Sequence, residues 1–283
     1  MERLWSPWRM TYIGGAKQPG CVFCNALAAA DDRKSLIIHR GENAFMILNL
    51  YPYNSGHSMV VPNEHISEFE NLPAATRAEL FELAAVATEA SRRALGCDGF
   101  NIGMNLGAVA GAGIADHLHA HVVPRWNGDA NFMPIIGDTK VMPELLPSTY
   151  ARIRAEVEII IGARKSTPIT HLGAIVVVPG SGIVVTSASD APALPRAPIV
   201  PTESATATAL RAVRDALDID AAVVGWGGIA ESGNERTLYF LATASSHAES
   251  AASLDELTSS LPTEAERRLL TDNAAVIRTL IAQ

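Results

Sequence analysis

The chain has 283 residues, a net charge of -8, and 48% hydrophobic against 18% charged residues. This composition is that of a packed protein long enough for two modest domains, and it excludes a disordered chain. The acidic balance gives no electrostatic footprint for nonspecific binding to nucleic acid or to an anionic membrane, although a local basic pocket could still bind phosphate. We therefore expect neither a nucleic-acid partner nor a membrane partner.

The amino-terminal segment MERLWSPWRMTYIGG contains Arg3 and Arg9 but has no continuous apolar stretch typical of a signal peptide. The later apolar runs are interrupted by proline and glycine, so we expect none of them to cross a membrane. These features predict a cytoplasmic protein.

The sequence has three cysteines, which do not make a disulfide framework in a chain of this size. Cys21 and Cys24 form a C-x-x-C pair, a spacing typical of metal or redox chemistry. The pair is also compatible with two buried thiols in an amphipathic segment, and it lacks the strand and helix expected around a thioredoxin-like motif. Cys97 stands alone beside a predicted helix end and is predicted to be a small core residue.

The first half of the chain mixes short strands with helices. AFMILNL and HSMVVP predict buried strands on either side of the turn-rich YPYNSG, and AATRAELFELAAVATEASRRAL has helical spacing after Pro73. NIGMNLG and HLHAHVVPRW predict two further strands, and PELLPSTYARIRAEVEIIIGA predicts a helix after Pro147. The pattern indicates an α+β fold. The loop GAVAGAG before Asp116 is suited to close approach of the backbone to a ligand.

Three of the eight histidines lie at alternate positions in DHLHAHVVPRW. In an extended chain His117, His119 and His121 share one face, while the apolar residues between them face the core. One interpretation is a solvated strand face. A second is a three-histidine metal site, which is difficult because residues i and i+4 of a strand lie about 13 Å apart. A third is a histidine nucleophile positioned by its neighbours.

The segment HLHAHVV fits the pattern His-x-His-x-His followed by two apolar residues, and on this basis it resembles the histidine triad family of nucleotidyl hydrolases and transferases. NLYPYNSGHSMVVPNEH resembles the ribose-side strand and turn of that family. The pieces LWSPWRMTYI, CVFC, GAGIADHLH and WNGDANFMP are similar to its diadenosine tetraphosphate phosphorylase-like branch. The resemblance covers roughly residues 1 to 165, and because such relatives are commonly dimers it also implies a homodimer through this domain.

The resemblance implies that His119 is the nucleophile at the α-phosphate and forms a covalent nucleotidyl-histidine intermediate. Water, orthophosphate or another acceptor would then release the nucleotide. His121 and His57 would contact phosphate or shape the site. The implied substrate-binding residues are Asn49 for the ribose hydroxyls, Asn105 for phosphate or the nucleophile strand, and Gly111 to Gly113, whose backbone N–H groups would donate to phosphate oxygens.

The loop before the triad departs from the family pattern. Many hydrolases of the family have Gln followed by Ser or Thr at positions that are Gly113 and Ile114 in this sequence. The loss of these side-chain donors weighs against simple hydrolysis and leaves room for another acceptor, which it does not identify.

Some relatives close a structural zinc site with two cysteines, the histidine of Pro-x-x-His and the first triad histidine. The resemblance therefore implies a zinc site formed by Cys21, Cys24, His65 and His117. A Cys₂His₂ set is complete and tetrahedral, with no open position. The ion would brace the amino-terminal segment against the catalytic strand and would not perform the chemistry.

The composition changes near residue 165. All four lysines precede or occupy that position, and the charged residues divide into 15 basic and 17 acidic up to Lys165, then 7 basic and 13 acidic after it. We therefore predict two domains, residues 1-165 and 170-283, joined where Ser166, Thr167 and Pro168 interrupt a preceding helix.

The second half predicts a strand, a turn at Pro179 to Gly182, another strand, a loop and a helix from about Thr202. VVGWGGIAESGNERTLYFLATA predicts two strands around a Gly-rich turn, and TEAERRLLTDNAAVIRTLIA predicts one terminal helix. The phrase LPRAPIVPTESATATALRAVRDALDI resembles the box of the Nudix domain, an α/β/α fold. An unrelated α/β domain with coincidental spacing is the alternative.

The Nudix box is degenerate in this sequence. Its positions fall on Ala197, Glu203, Arg211, Ala212, Asp215, Ala216 and Asp218. Active members hold magnesium on carboxylates of this helix, and two of three are alanine here. We therefore expect no magnesium site and no independent catalysis, and we interpret Glu203 and Asp215 as solvated helix charges. The domain would instead pack against its neighbour, support dimerisation or help to hold a substrate.

The leading hypothesis is an enzyme that acts through His119 on nucleoside phosphoanhydrides such as dinucleoside polyphosphates. One alternative is a nucleotide-binding sensor or regulatory protein, but a pure binder has no need of a nucleophile. Another is a nucleoside phosphoramidate hydrolase. In a third, the second half of the chain is the catalytic domain, and its activity would depend on magnesium and Glu203.

Overall fold

The computed structural model describes residues 20-129, 144-188, 191-245 and 251-283. The predicted motif LWSPWRMTYI and the end of WNGDANFMP lie outside these residues. The chain divides into two compact units, Met1–Leu146 and Pro147–Gln283. Within the described ranges, no helix combines the length and the apolar character that crossing a membrane requires.

The division between the units differs from the predicted linker. It lies at the first residue of the helix Leu146–Arg164, whereas the sequence placed that helix in the first domain. Contacts of Ser148, Arg154 and Glu156 join the helix to the rest of the second unit. Ser148 Oγ donates to Val223 O at 2.9 Å, Arg154 stacks over Trp226, and Glu156 accepts from the backbone N–H of Ala205 at 2.6 Å. The composition therefore changes at the end of this helix, whereas the units divide at its start.

The first unit is built on one antiparallel sheet of five strands in the order β1-β2-β3-β5-β4. Its elements are α1 (Val22–Ala28), α2 (Asp32–Ser35), β1 (Ile37–Arg40), β2 (Ala44–Leu48), β3 (Ser58–Pro62), α3 (Ala74–Leu95), β4 (Gly99–Met104) and β5 (Ala120–Arg125), with single 3₁₀ turns at Phe69–Asn71 and Ala108–Ala110. The α+β fold, the strands β2 to β5 and the long helix α3 are confirmed. The sequence had not indicated α1 or β1.

The two faces of this sheet carry different groups. Phe100, which lies opposite Pro124, stacks under Arg92 of α3, so α3 covers the face that also holds Ala120 and Val122. Met59 lies opposite His121 on the other face. Along β5 the apolar residues therefore face the long helix and the core, as the alternation in the sequence predicted.

The second unit is an α/β structure around a mixed sheet. Its elements are α4 (Leu146–Arg164), β6 (His171–Val178), β7 (Gly182–Val184), β8 (Thr186–Ala188), β9 (Ala191–Ala193), β10 (Arg196–Pro198), α5 (Ala205–Leu217), β11 (Ala221–Ser232), β12 (Glu235–Ala244), β13 (Ala251–Ala252), α6 (Leu254–Ser260), α7 (Glu264–Asp272) and α8 (Ala274–Ile281). The strand order is β11-β12-β6-β7-β13, with β10 on β6 and a separate β8-β9 pair. β6 and β12 run parallel.

Helices cover both faces of this sheet. Val213 of α5 packs with Val176 on one face, while Leu257 and Leu269 of α6 and α7 pack with Ile175 on the other. The predicted strand, turn and strand at Pro179 to Gly182 and the pair of strands β11 and β12 are confirmed. The likeness to a Nudix domain stays a prediction.

The prediction of a single terminal helix is wrong. The segment forms two helices, α7 and α8, which meet at Asn273. The Asn273 side chain is fully buried, and its Nδ2 donates to the carbonyls of Gly227 and Leu269, both at 2.7 Å. A buried amide needs such partners, so the tie to Gly227 of β11 fixes the break at this residue.

Glu203 also differs from its predicted role as a solvated helix charge. It precedes α5, whose N-cap is Ser204, and it accepts from Thr208 Oγ1 at 2.9 Å and from Arg211 at 3.2 Å. Asp215 does lie in α5, is 64% exposed and pairs with Arg211 at 3.4 Å. The two carboxylates therefore share one arginine at the surface.

Candidate active site and metal centre

The triad segment only partly belongs to a strand. His121 lies in β5, but His117 and His119 precede it, so the predicted strand HLHAHVVPRW begins three residues late. Instead of ladder bonds, the Leu118 N–H donates to Ile66 O at 2.7 Å and His117 Nε2 lies 3.0 Å from Pro62 O. These bonds hold the start of the segment against the end of β3 and the chain that follows it.

His119 is held in one tautomer. Its Nδ1 lies 2.9 Å from the backbone carbonyl of His117, and the side chain is only 6% exposed. A carbonyl oxygen can only accept, so Nδ1 carries the proton and the lone pair of the neutral ring is on Nε2. Burial lowers the pKa of His119, which favours this neutral form. A neutral imidazole with a free lone pair is the form in which histidine acts as a nucleophile.

A series of hydrogen bonds fixes the tautomers of His57 and His121. The backbone N–H of Tyr53 donates to His57 Nδ1 at 3.0 Å, and His57 Nε2 lies 3.0 Å from His121 Nδ1. Because Nδ1 of His57 accepts, its proton is on Nε2, which donates to His121. The proton of neutral His121 is therefore on Nε2. Burial, followed by the nearby His119, lowers the pKa of His121 to about 4.

The rings of His119 and His121 lie edge to face with centroids 4.9 Å apart. The site therefore places an imidazole lone pair beside an imidazole N–H donor. This is a pair that can attack an electrophilic phosphorus while donating to one of its oxygens. Sequence reasoning missed Tyr53, although its position in the turn just before His57 was a signal.

The predicted substrate-binding residues occupy different parts of this site. Asn49 is half-buried, its Oδ1 accepts from the Tyr51 N–H at 2.9 Å, and its Nδ2 lies 3.2 Å from His57 Nδ1. Asn49 therefore belongs to the same series of hydrogen bonds as His57 and His121. Asn105 follows β4, while Gly111 and Gly113 are exposed on the loop before the triad. Gly111 has a φ of +88°, which a residue with a side chain rarely adopts.

The four predicted metal ligands come together in the structure. The ligand atoms of Cys21, Cys24, His65 and His117 all lie within 4.8 Å of one another. His117 Nδ1 is 3.2 Å from Cys21 Sγ and 3.7 Å from Cys24 Sγ, and His65 Nδ1 is 3.4 Å from Cys24 Sγ. Ligand atoms around a tetrahedral zinc ion are about 3.3–3.8 Å apart, since each lies about 2.0–2.3 Å from the ion. The donor set therefore fits zinc.

The tautomer of His117 also suits a metal ligand. Its Nε2 donates to the Pro62 carbonyl, so the lone pair is on Nδ1, the atom that faces the cysteines. A carbonyl that accepts from the second ring nitrogen is a common support for a metal-bound histidine. His117 therefore contacts both sites. Its Nδ1 faces the cysteines, and its backbone carbonyl accepts from His119 Nδ1.

A family model described as "HIT domain" matches residues 31–128 of the chain. The AP-4-A phosphorylase of Mycobacterium tuberculosis is 42% identical over 164 residues, which are 55% of this chain and 84% of that protein. The chain belongs to the histidine triad family. An uncharacterised HIT-like protein of Methanocaldococcus jannaschii is 32% identical over 109 residues, 38% of this chain and 81% of its own length.

Among solved structures, a zinc-bound histidine triad family protein from Mycobacterium smegmatis is 29% identical, with a TM-score of 0.42, and the match covers 51% of this chain and 97% of that one. The resemblance to the histidine triad family is confirmed by the family model and the mycobacterial relative, and so is the prediction of an enzyme of the nucleotidyl transferase and hydrolase type.

Proposed function

We propose that this protein transfers or hydrolyses nucleotidyl groups of dinucleoside polyphosphates or related nucleoside phosphoanhydrides through a covalent intermediate on His119. The observation that carries the proposal is the bond from His119 Nδ1 to the His117 carbonyl, which leaves Nε2 as the nucleophilic atom. The name of the mycobacterial relative, AP-4-A phosphorylase, makes diadenosine tetraphosphate the first substrate to test.

In the first step, His119 Nε2 attacks the α-phosphorus. A P–N bond forms, the P–O bond of the anhydride breaks, and the electron pair leaves with the departing nucleotide. The positive charge that the ring acquires is shared with its Nδ1–H, which donates to the His117 carbonyl. In the second step, an acceptor oxygen attacks the same phosphorus, the P–N bond breaks and its electron pair returns to Nε2.

His121 and His57 serve this chemistry as donors. His121 presents Nε2–H beside the nucleophile and donates to the charged phosphate oxygens. His57 keeps that proton on Nε2 by donating to Nδ1 of His121, and the Tyr53 N–H keeps His57 in the required tautomer. Asn49 binds the ribose hydroxyls, and Asn105 with the backbone of Gly111 to Gly113 binds phosphate.

Orthophosphate is the acceptor we propose. The mycobacterial relative is called a phosphorylase, which favours this acceptor. Gly113 and Ile114 replace the Gln and the Ser or Thr that many hydrolases of the family have, and Ile114 packs against the apolar cluster that contains Phe23 and Met59. An apolar group at this position cannot orient a water molecule through a side-chain hydrogen bond.

The test is to incubate the zinc-loaded protein with diadenosine tetraphosphate, with and without orthophosphate and without added magnesium, and to separate the products by ion exchange. We expect ADP and ATP, and only when orthophosphate is present. If AMP and ATP form without orthophosphate, the protein is a hydrolase and not a phosphorylase. The absence of turnover would favour the nucleotide sensor, unless nucleoside phosphoramidates are cleaved.

Zinc is the proposed cofactor, held by Cys21, Cys24, His65 and His117. Four protein donors fill a tetrahedral site, so the ion would supply a cross-link and no Lewis-acid chemistry. The cross-link would tie the start of α1 to the chain around His65 and to the triad segment.

We propose that the second unit is catalytically silent. At the three box positions that carry glutamate in active Nudix members, this chain has Ala212, Asp215 and Ala216, and Ala212 is only 3% exposed. A buried methyl group cannot bind a hard cation, which requires several oxygen ligands. Turnover is therefore independent of magnesium and of Glu203.

A homodimer through the first unit is the proposed assembly. β4 lies at the edge of the sheet, and apolar side chains are exposed on β4 and on α3, with Ile102 51% and Phe81 60% exposed. An unpaired edge strand with exposed apolar groups is an aggregation liability unless another chain covers it. A second copy would pair its own β4 with this edge.

The variant Ile102→Lys should convert this dimer into a monomer, because a charge in the centre of the interface cannot be desolvated without a partner. Light scattering coupled to size exclusion measures the mass. Val276→Lys, at a residue of the second unit that is 40% exposed, is the control and should leave the mass unchanged. A wild-type protein that elutes as a monomer at all concentrations would contradict the assembly.

A further inference from the structure

Phe23 lies between the two cysteines of the metal site and contacts the nucleophile. It is 2% exposed, and its ring centroid is 5.1 Å from that of His119 at an interplanar angle of 49°. The same ring lies 5.4 Å from His117 in an edge-to-face arrangement. One short segment, CVFC, therefore supplies two metal ligands and an aromatic neighbour of His119.

The hydrogen bond of His119 does not fix the ring by itself. It holds Nδ1, but the χ2 torsion of histidine is broad and roughly two-fold, so the ring also has a second orientation about its Cβ–Cγ bond. A half-turn would exchange Nδ1 with a carbon atom and break the bond to His117 O. His121 contacts one side of the ring, with centroids 4.9 Å apart, and Phe23 is the other described aromatic neighbour.

We propose that Phe23 is a positioning residue that holds the His119 imidazole with Nδ1 on the His117 carbonyl and Nε2 directed at the substrate. The proposal deepens the nucleophilic role assigned to His119 and rests on it for its kinetic consequence. The orientation of the ring does not depend on turnover. A contact between aromatic rings at this separation adds attraction beyond the area that the rings bury, and this attraction biases a torsion with two wells.

Phe23 also belongs to the apolar core, and the experiment must separate the two roles. It packs in a cluster with Ile37, Phe45, Ile47, Met59 and Val61. Phe45 offers a matched control, because it is the same residue type, is fully buried in the same cluster and is not among the described ring neighbours of His119. Phe23→Leu and Phe45→Leu remove an aromatic ring from the same core.

The experiment compares these two variants as zinc-loaded full-length chains. Steady-state kinetics with diadenosine tetraphosphate and orthophosphate gives kcat and KM, and long-range ¹H–¹⁵N spectra of ¹⁵N-histidine-labelled protein give the tautomer of His119, assigned with His119→Gln. We expect both variants to melt at lower temperature with unchanged zinc content. Phe23→Leu alone should lower kcat about tenfold at similar KM, since small misplacements of a reacting group are costly.

The spectra should show a single Nδ1–H tautomer of His119 in the wild type and in Phe45→Leu, and a mixture in Phe23→Leu. Phe23→Met, which restores an unbranched, polarizable side chain of similar length, should recover part of the signal. A single tautomer and wild-type kcat in Phe23→Leu would overturn the proposal. The spectra require no turnover. If the protein cleaves no nucleotide, the proposed function is refuted, but the spectra still show whether Phe23 orients His119.

Discussion

Replacing His119 with alanine is expected to reduce turnover of diadenosine tetraphosphate by on the order of 10⁴-fold or more, because the variant cannot form the nucleotidyl intermediate. Nucleotide binding should remain, since Asn49, His57 and His121 keep their mutual hydrogen bonds. The measurement is kcat by product separation, together with a dissociation constant for a non-cleaved nucleotide analogue. Quenching the wild type with α-labelled substrate in alkaline detergent should capture an adduct that is stable in base and labile in acid, as expected of a phosphoramidate.

The matched control is His171→Ala, which removes a half-buried histidine from β6 of the second unit. This variant should retain wild-type kcat and form the labelled adduct. The His119 variant should lose some stability, about 1–3 kcal/mol, because the buried His117 carbonyl loses its donor. Folding must therefore be checked by circular dichroism. Turnover at the wild-type rate in folded His119→Ala would rule out the covalent mechanism.

Local patterns in the sequence predict the frame of the first unit. The alternation of Ala120 and Val122 with the histidines identifies the face of β5 that meets α3, because the period of a strand is fixed by its geometry. The 22 residues of α3 have the spacing and the final glycine, Gly96 in a left-handed conformation, that define a helix and its end. Such features need only neighbours along the chain.

The tautomers of His117 and His121 could not be predicted, because they depend on partners far apart in sequence. His57 and His121 are 64 residues apart, and His117 takes its orientation from the Pro62 carbonyl, 55 residues away. The metal ligands are separated by 41 residues between Cys24 and His65 and by 96 between Cys21 and His117. No spacing rule connects these positions, so only the resemblance to a family grouped them. Asn273 is similar, since its break in the terminal helix depends on Gly227 of a distant strand.

The second large effect is expected at the metal site. The variant Cys24→Ala should lose stoichiometric zinc and the stabilisation that zinc gives the wild type, because a tetrahedral site with three remaining donors binds the ion far more weakly. When free zinc exceeds its dissociation constant about 1,000-fold, binding stabilises the folded chain by about 4 kcal/mol. The measurement is the melting temperature of each protein with zinc and with a chelator, alongside zinc content by mass spectrometry.

Cys97→Ala is the control for this substitution, because Cys97 is a buried cysteine outside the cluster of four ligands. It should keep one zinc ion per chain and the same increase in melting temperature on adding zinc. Equal zinc content and equal zinc-dependent stabilisation in Cys24→Ala and Cys97→Ala would exclude the site. If zinc is lost as expected, kcat should also fall, because His117 contacts the cysteines through Nδ1 and the nucleophile through its carbonyl. Movement of one ligand would then displace the oxygen that orients His119.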